Sequence, residues 1–405
     1  MSTSNSTVST ANRFAFLAER LRILTDGVFS AMGMGHFTVD FLNAQRPIIL
    51  TFLSASLGLT NTTLAAISTG YVWAASASQP LFGWLADRIG TRWLAGLGIL
   101  WMFAFFGLAM VMPGMPALVF LILASLGSAA FHPAGAMEST LVGRNHYAGR
   151  ETTAASLFFF FGQMGLSLGP IVGGALIGRF GLMGLLALST LAVPVGLNAA
   201  WQLRGSQSHR PEKNGHKPLA QGERAAWGII AALALVGALQ AWAQQNMITF
   251  IPKYLSDLGA SPAIYGIISG LFMGGSAVGN VIGGNLADRF GKQRVAMLAM
   301  LAASAPLFLI AQVGLSNWLY LLVPLAGALT GSVHSIIVVL AQRRLPMGMA
   351  AASGLTLGFI FSAGALGTLL SGPIADAAGF PLVFMLTGGL VIAGAVFSLF
   401  LRGEH

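Results

Sequence analysis

Residues Gly83 to Arg92 read G-W-L-A-D-R-I-G-T-R, three charges set between two long apolar segments. A near copy stands 201 positions later, where Gly284 to Gln293 read G-N-L-A-D-R-F-G-K-Q. Gly83, Leu85, Ala86, Asp87, Arg88 and Gly90 match Gly284, Leu286, Ala287, Asp288, Arg289 and Gly291. A repeat at half the length of a 405-residue chain predicts two homologous halves. Each copy is expected to be a tight, wet turn joining two hydrophobic spans.

The composition says what surrounds those spans. The chain is 55% apolar and only 8% charged, with a mean hydropathy of +0.77. Soluble domains carry about 25% charged residues, so this chain cannot cover itself in water. The net charge of +9 comes from basic residues scattered through short loops rather than gathered in a stripe, which argues against a nucleic-acid partner. There is no cysteine, hence no disulfide, thiolate ligand or thiol nucleophile. No phosphate-binding loop of the G-x-x-x-x-G-K-[ST] kind, paired metal motif or nucleophile elbow is present. The chain is therefore not expected to be an enzyme, to couple directly to ATP, or to hold a metal or cofactor. Its first dozen residues are polar with no apolar signal core, which leaves targeting to the first span.

A bilayer core takes about 20 apolar residues per helix. Twelve such segments are expected, near 28–54, 63–85, 94–112, 116–142, 153–178, 183–203, 226–252, 262–286, 295–314, 317–341, 350–373 and 382–401. They divide into a tail (1–23), a six-helix bundle (24–204), a hydrophilic linker (205–224) and a second six-helix bundle (225–402). Charge sets the orientation. Arg13, Arg20, Arg22, Arg88, Arg92, Arg144, Arg150, Arg204, Arg210, Lys213, Lys217, Arg224, Arg289, Lys292, Arg294, Arg343, Arg344 and Arg402 fall on one side. Only Arg179 and Lys253 fall on the other, and Arg46 lies within the first span. Basic loops stay inside, so both termini and the linker are expected in the cytoplasm.

Glycine is abundant, with 52 residues clustered in the fifth, eighth and eleventh spans at helix-packing spacings. Lipid gives helices no hydrophobic reason to associate, so small residues that allow close approach take over. The duplicated G-x-L-A-D-R-x-G loop, the twelve spans and the central linker together resemble the major facilitator superfamily. The resemblance covers the whole chain. It implies an all-α membrane protein of two pseudo-symmetric six-helix bundles, functional as a monomer, with the substrate site between the bundles. It also implies a gating role for the loops, carried by Gly83, Asp87, Arg88, Gly90 and Arg92 and by Gly284, Asp288, Arg289 and Gly291. In the fifth span G-L-S-L-G-P-I-V-G-G, with Gly165, Gly169, Pro170, Gly173 and Gly174, resembles the antiporter signature of that family. Pro170 removes a backbone donor and the glycines admit a neighbour, which makes a bendable, closely packed helix.

Two further stretches narrow the resemblance. G-H-F-T-V-D (Gly35–Asp40) and G-S-A-A-F-H-P (Gly127–Pro133), together with G-Q-M-G-L-S-L-G-P (Gly162–Pro170), resemble the fosmidomycin resistance group. That group implies export of an anionic phosphonate in exchange for protons. The chain departs from it at Ala134, where the group usually has Glu, and at Arg46-Pro47, which replaces an apolar pair.

Only Asp40, Arg46 and Glu138 carry a formal charge within the expected spans. Such a group costs about 2.5–3.5 kcal/mol on insertion scales, so each is a functional candidate. His36, Asp40 and Asn43 share a helix face at i, i+4, i+7, and Arg46 continues it. Asp40 is the expected proton-coupling carboxylate, with His36 and His132 as partners, because histidine titrates nearest physiological pH. The alternative for Asp40 is a fixed internal hydrogen bond that locks the first span. Arg46 is the expected anion anchor, its guanidinium suited to bidentate binding. The alternatives are a structural ion pair or an outward snorkel. Asn43, Gln163, Gln240, Gln244 and His334 are neutral candidates for the substrate pathway. Glu138 is either a further substrate contact or a surface partner of Arg144 or Arg150. The expected partners are thus a small-molecule substrate, protons and the lipid bilayer, with the chain in a bacterial inner membrane. Proton-coupled export of a small anion, proton-coupled uptake of one, and a non-transporting receptor remain the three readings.

Overall fold

The computed structural model describes residues 22–147, 151–205, 227–345 and 349–401. All regular structure among them is helical. In the first half the helices are α1 (Gly27–Asn43), α2 (Arg46–Ser56), α3 (Asn61–Ile89), α4 (Thr91–Val111), α5 (Pro116–His146), α6 (Glu151–Phe180), α7 (Leu182–Ser189) and α8 (Ala192–Gln202). The second half has α9 (Trp227–Asp257), α10 (Pro262–Phe290), α11 (Lys292–Val313), α12 (Leu319–Gly331), α13 (His334–Arg344) and α14 (Met349–Ser398). Among the described residues nine helical segments are long and apolar enough to cross a membrane. The fold is that of a multi-pass α-helical membrane protein.

Where the helices differ from the expected spans, the cause is local. The first span is two pieces, α1 and α2. Pro47 has no amide hydrogen to offer the Asn43 carbonyl, so the regular ladder stops there and Arg46 opens a new helix. The sixth and tenth spans are likewise divided, into α7 and α8 and into α12 and α13. The last two spans run through α14, which turns at Gly379 (φ 79°, ψ 169°).

The repeated loops are shorter than the sequence suggests. Residues Gly83–Ile89 continue α3 and Gly284–Phe290 continue α10 as helix, and the turn is a single glycine in each copy. Gly90 (φ 93°, ψ 147°) and Gly291 (φ 92°, ψ 135°) adopt nearly the same conformation, one that requires a residue without Cβ. The side chains of Asp87 and Asp288 lie outside the described residues. Arg88 is exposed and lies over the Trp84 ring, 4.0 Å from its centroid, and Arg92 lies 4.7 Å from the Trp93 centroid. Arg289 is exposed.

Glycine sets the packing that positions the site. A Cβ on Gly165 would fall 2.4 Å from the Phe37 carbonyl, and one on Gly169 would fall 2.7 Å from that of Phe41. Gly173 faces the Gln45 side chain. This face of α6 is therefore pressed on the backbone of α1. The neighbouring face meets the second half: a Cβ on Gly174 would lie 2.2 Å from the Pro262 carbonyl, and one on Gly266 would lie 2.3 Å from that of Pro170. The antiporter-like run thus joins α1 on one side and α10 on the other.

On the side away from the repeated loops, α3 and α14 tie the halves together. Asp376 accepts from the Asn61 and Thr62 amides at 2.7 and 2.9 Å and from Thr62 Oγ1 at 2.5 Å. It caps the first turn of a helix 315 residues away in sequence. Thr69 donates to the Ala365 carbonyl (2.8 Å) and Trp73 Nε1 to that of Ser362 (3.1 Å).

Candidate functional site

The central polar cluster forms where α1, α5 and α6 meet. Asp40 and His36, one turn apart on α1, are 8% and 3% exposed. His36 Nε2 lies 3.2 Å from Asp40 Oδ2. From α5, His132 Nε2 reaches Asp40 Oδ1 at 3.4 Å. Asn43 Nδ2 donates to Asp40 Oδ1 (3.0 Å) and to Ser128 Oγ (2.9 Å). The His36 ring stacks on Phe158, with centroids 4.0 Å apart, and meets His132 edge-on at 5.0 Å. A Cβ on Gly162 would come within 2.5 Å of His36 Nε2 and 2.7 Å of Asp40 Oδ2. Only glycine there lets α6 close over the pair.

The far nitrogens of both rings fix their tautomers. His36 Nδ1 is 2.7 Å from the Phe158 carbonyl and His132 Nδ1 is 2.8 Å from the Ser128 carbonyl. A carbonyl only accepts, so both Nδ1 atoms carry hydrogen. Each Nε2 then faces a carboxylate oxygen, which also only accepts. A hydrogen bond at either contact requires one proton, held by the imidazole or by the carboxyl group. The ligand-capable atoms of the three groups lie within 4.8 Å of one another, and both contacts are within ion-pair distance. The cluster therefore places two imidazoles and one carboxylate in contact within a buried polar network that includes Asn43, Ser128 and Tyr71.

A chain of contacts leads from it to Arg46. Tyr71 donates its hydroxyl to Asn43 Oδ1 at 2.6 Å. The Arg46 guanidinium carbon lies 5.2 Å from the Tyr71 ring centroid. Arg46 is 7% exposed and its Nε has no hydrogen-bond partner. Among the described residues it has no ion pair, so the expected alternative of a structural salt bridge is not what holds it. A buried cation on an aromatic face, with a donor to spare, is suited to receive an anion.

The other candidates are spread more widely. Glu138 is buried and accepts from Thr91 Oγ1 at the start of α4, so it is placed beside the first repeated loop rather than with Asp40. Helix α5 carries it two turns beyond His132, which explains the separation. Gln240 is fully buried and donates to the Thr330 carbonyl (3.1 Å), with its Oε1 unpartnered. Gln244 donates to Ser276 Oγ (2.9 Å). His334 opens α13 beside Phe361, with ring centroids 6.2 Å apart. Gln163 is half-buried on α6. None of these five is bonded to the Asp40 cluster. Tyr71, Ser128 and Gly162 complete it instead. A tyrosine in an apolar span and a serine one turn before His132 were the available signals for the first two.

The chain is thus a multi-pass helical membrane protein with a buried polar cluster among three helices of its first half. The family model described as Major Facilitator Superfamily matches residues 33–239 and 233–405. The chain belongs to the major facilitator superfamily. It is 29% identical over 379 residues to the fosmidomycin resistance protein of Escherichia coli (strain K12), covering 91% of each chain. It is 28% identical over 359 residues to the uncharacterized MFS-type transporter YfnC of Bacillus subtilis (strain 168), covering 86% of each. Among solved structures the nucleoside transporter NupG superposes with a TM-score of 0.74 at 16% identity, covering 93% of this chain and all of that one. A bacterial homolog of the human lysosomal transporter Spinster, inward-facing and unoccupied, gives 0.68 at 17% identity, covering 93% and 96%. These superpositions carry the fold. Members of the superfamily are transporters and not enzymes, as the sequence led one to expect.

Proposed function

We propose that this chain is a proton-coupled exporter of a small anionic compound, working as a monomer in a bacterial cell membrane with both termini in the cytoplasm. The observation that carries the reading is the buried Asp40–His36–His132 cluster, linked through Asn43 and Tyr71 to an Arg46 that has no carboxylate partner among the described residues. Asp40, His36 and His132 exchange protons as the pathway opens to either side, and Arg46 receives the anion. Neutral donors from the second half, Gln240, Gln244 and His334, with Asn43 and Gln163 from the first, line the route between. Glu138 and the two repeated loops form the gate at one end, and the glycine face of α6 is the surface on which the halves rock.

The relation to the fosmidomycin resistance protein supports export and a phosphonate-like substrate. Fosmidomycin is therefore the first compound to test. In everted vesicles from a strain lacking its own exporters, acidifying the lumen should drive accumulation of labelled fosmidomycin, and a proton uncoupler should abolish it. Accumulation driven only by an acidic exterior would replace export with uptake. No transport of any small anion by the purified chain in liposomes would leave the receptor reading.

A further inference from the structure

We infer that His36, Asp40 and His132 form a binding site for a divalent transition-metal ion of the zinc class. Two imidazoles and a carboxylate are a donor set that suits such ions, whereas magnesium and calcium favour oxygen alone. The ligand-capable atoms, one from each residue, lie within 4.8 Å of one another. His36 Nε2 is 3.2 Å from Asp40 Oδ2, and His132 Nε2 is 3.4 Å from Asp40 Oδ1. A tetrahedral ion with bonds of about 2.0–2.1 Å sets neighbouring ligand atoms roughly 3.3–3.4 Å apart. Both imidazole–carboxylate separations already match that spacing.

The atoms behind the ligands support the same assignment. A metal-binding histidine almost always gives its other ring N–H to a carbonyl, a carboxylate or water, which fixes the ring and leaves the facing nitrogen as a lone pair. Here His36 Nδ1 meets the Phe158 carbonyl at 2.7 Å and His132 Nδ1 meets the Ser128 carbonyl at 2.8 Å. In the neutral rings both Nε2 lone pairs then face the carboxylate, where a dication is held by all three groups. The carboxylate is itself oriented by Asn43 Nδ2 at 3.0 Å. Arg46 makes no ion pair with Asp40 among the described residues, so that carboxylate is not committed to a guanidinium. A Cβ on Gly162 would fall 2.5 Å from His36 Nε2 and 2.7 Å from Asp40 Oδ2, so the room beside these atoms depends on glycine. The His132 side chain is 22% exposed against 3% for His36, which leaves a coordination position open to water on its side. No short motif announces the site, because its ligands come from two helices distant in sequence.

Calorimetric titration of zinc chloride into the purified full-length chain, free of any affinity tag, tests this. One equivalent should bind, and it should be lost in His132→Gln and in Asp40→Asn. Asn43→Ala keeps all three ligands but frees the carboxylate, and should weaken binding by roughly 10–100-fold. Cobalt(II) in place of zinc needs no variant: the unmodified chain should show the intense visible bands of a four-coordinate ion. Matched melting curves without metal keep a folding failure from passing as a lost ligand. No zinc binding, or one equivalent held equally well by His132→Gln and Asp40→Asn, overturns the inference. So do the weak bands of six-coordinate cobalt, or displacement of zinc by excess magnesium. A final arm rests on the proposed proton coupling, because the ion occupies the same groups: zinc should arrest gradient-driven fosmidomycin transport. Zinc bound at the three residues with no effect on transport keeps the metal site and removes those residues from the coupling.

Discussion

Asp40 and Ala241 are equivalent under the 201-residue repeat, and they differ in what surrounds them. Asp40 gathers two imidazoles and an amide. Ala241 is buried, with its carbonyl where a Cβ on Gly364 would lie 2.7 Å away. Asn43 bonds a carboxylate, a serine and a tyrosine, whereas among the described residues its counterpart Gln244 bonds Ser276. His132 faces Asp40, whereas His334, near the equivalent place, has Phe361. Duplication gave both halves the same frame, down to the conformation of Gly90 and Gly291. Among the described residues the carboxylate-centred cluster is in the first half, with no counterpart at Ala241 in the second.

That asymmetry can be broken in order of expected effect. Asp40→Asn removes the charge that both imidazoles face. Hydrogen bonds to charged groups are worth about 1.5–3 kcal/mol each, so losing two should reduce gradient-driven transport by roughly 100-fold or more. Gly162→Ala comes next. Its methyl group must displace His36 or Asp40, and overpacking costs about 1–3 kcal/mol, so a loss of roughly tenfold in transport is expected with the chain still folded. Near-normal transport by Gly162→Ala would show that the His36–Asp40 contact is dispensable. Arg46→Gln should raise the half-saturating concentration of anionic substrates by roughly tenfold and leave neutral ones unchanged, as expected for one charge-assisted contact. Equal loss for both would make Arg46 a support for Tyr71.

Where α3 and α14 meet, Asp376→Asn should favour their separation, because an amide cannot accept all three Asn61 and Thr62 contacts as the carboxylate does. The chain has no cysteine, so a single cysteine placed nearby reports this cleanly. Labelling should speed up by about threefold, as expected from roughly 0.5–1 kcal/mol for an exposed contact. The smallest effect is expected in the second half. Gln244→Leu removes a single neutral hydrogen bond and should change transport by roughly fivefold at most.

Much of this was readable in the chain. The repeated loop gave the halves, and the spacing of His36, Asp40 and Asn43 gave one face of α1. The position of His132 before Pro133 marked the second imidazole. The sequence did not show that Gly83–Ile89 stays helical, because charged residues read as a turn when they extend a helix beyond the apolar region. Nor did it place Glu138, whose partner Thr91 begins another helix, or reveal Asp376, whose partners lie 315 and 314 positions away. The Phe158 and Ser128 carbonyls that orient the imidazoles are backbone groups, and no residue type advertises them.

The central claim is that coupling resides in one carboxylate of one half. Purified chain in proteoliposomes can be measured in two modes, exchange of labelled for unlabelled fosmidomycin at equal pH, and uphill movement driven by a pH gradient. Asp40→Asn should keep exchange and lose all response to the gradient. Uphill movement by Asp40→Asn at the rate of the unmodified chain would contradict the account.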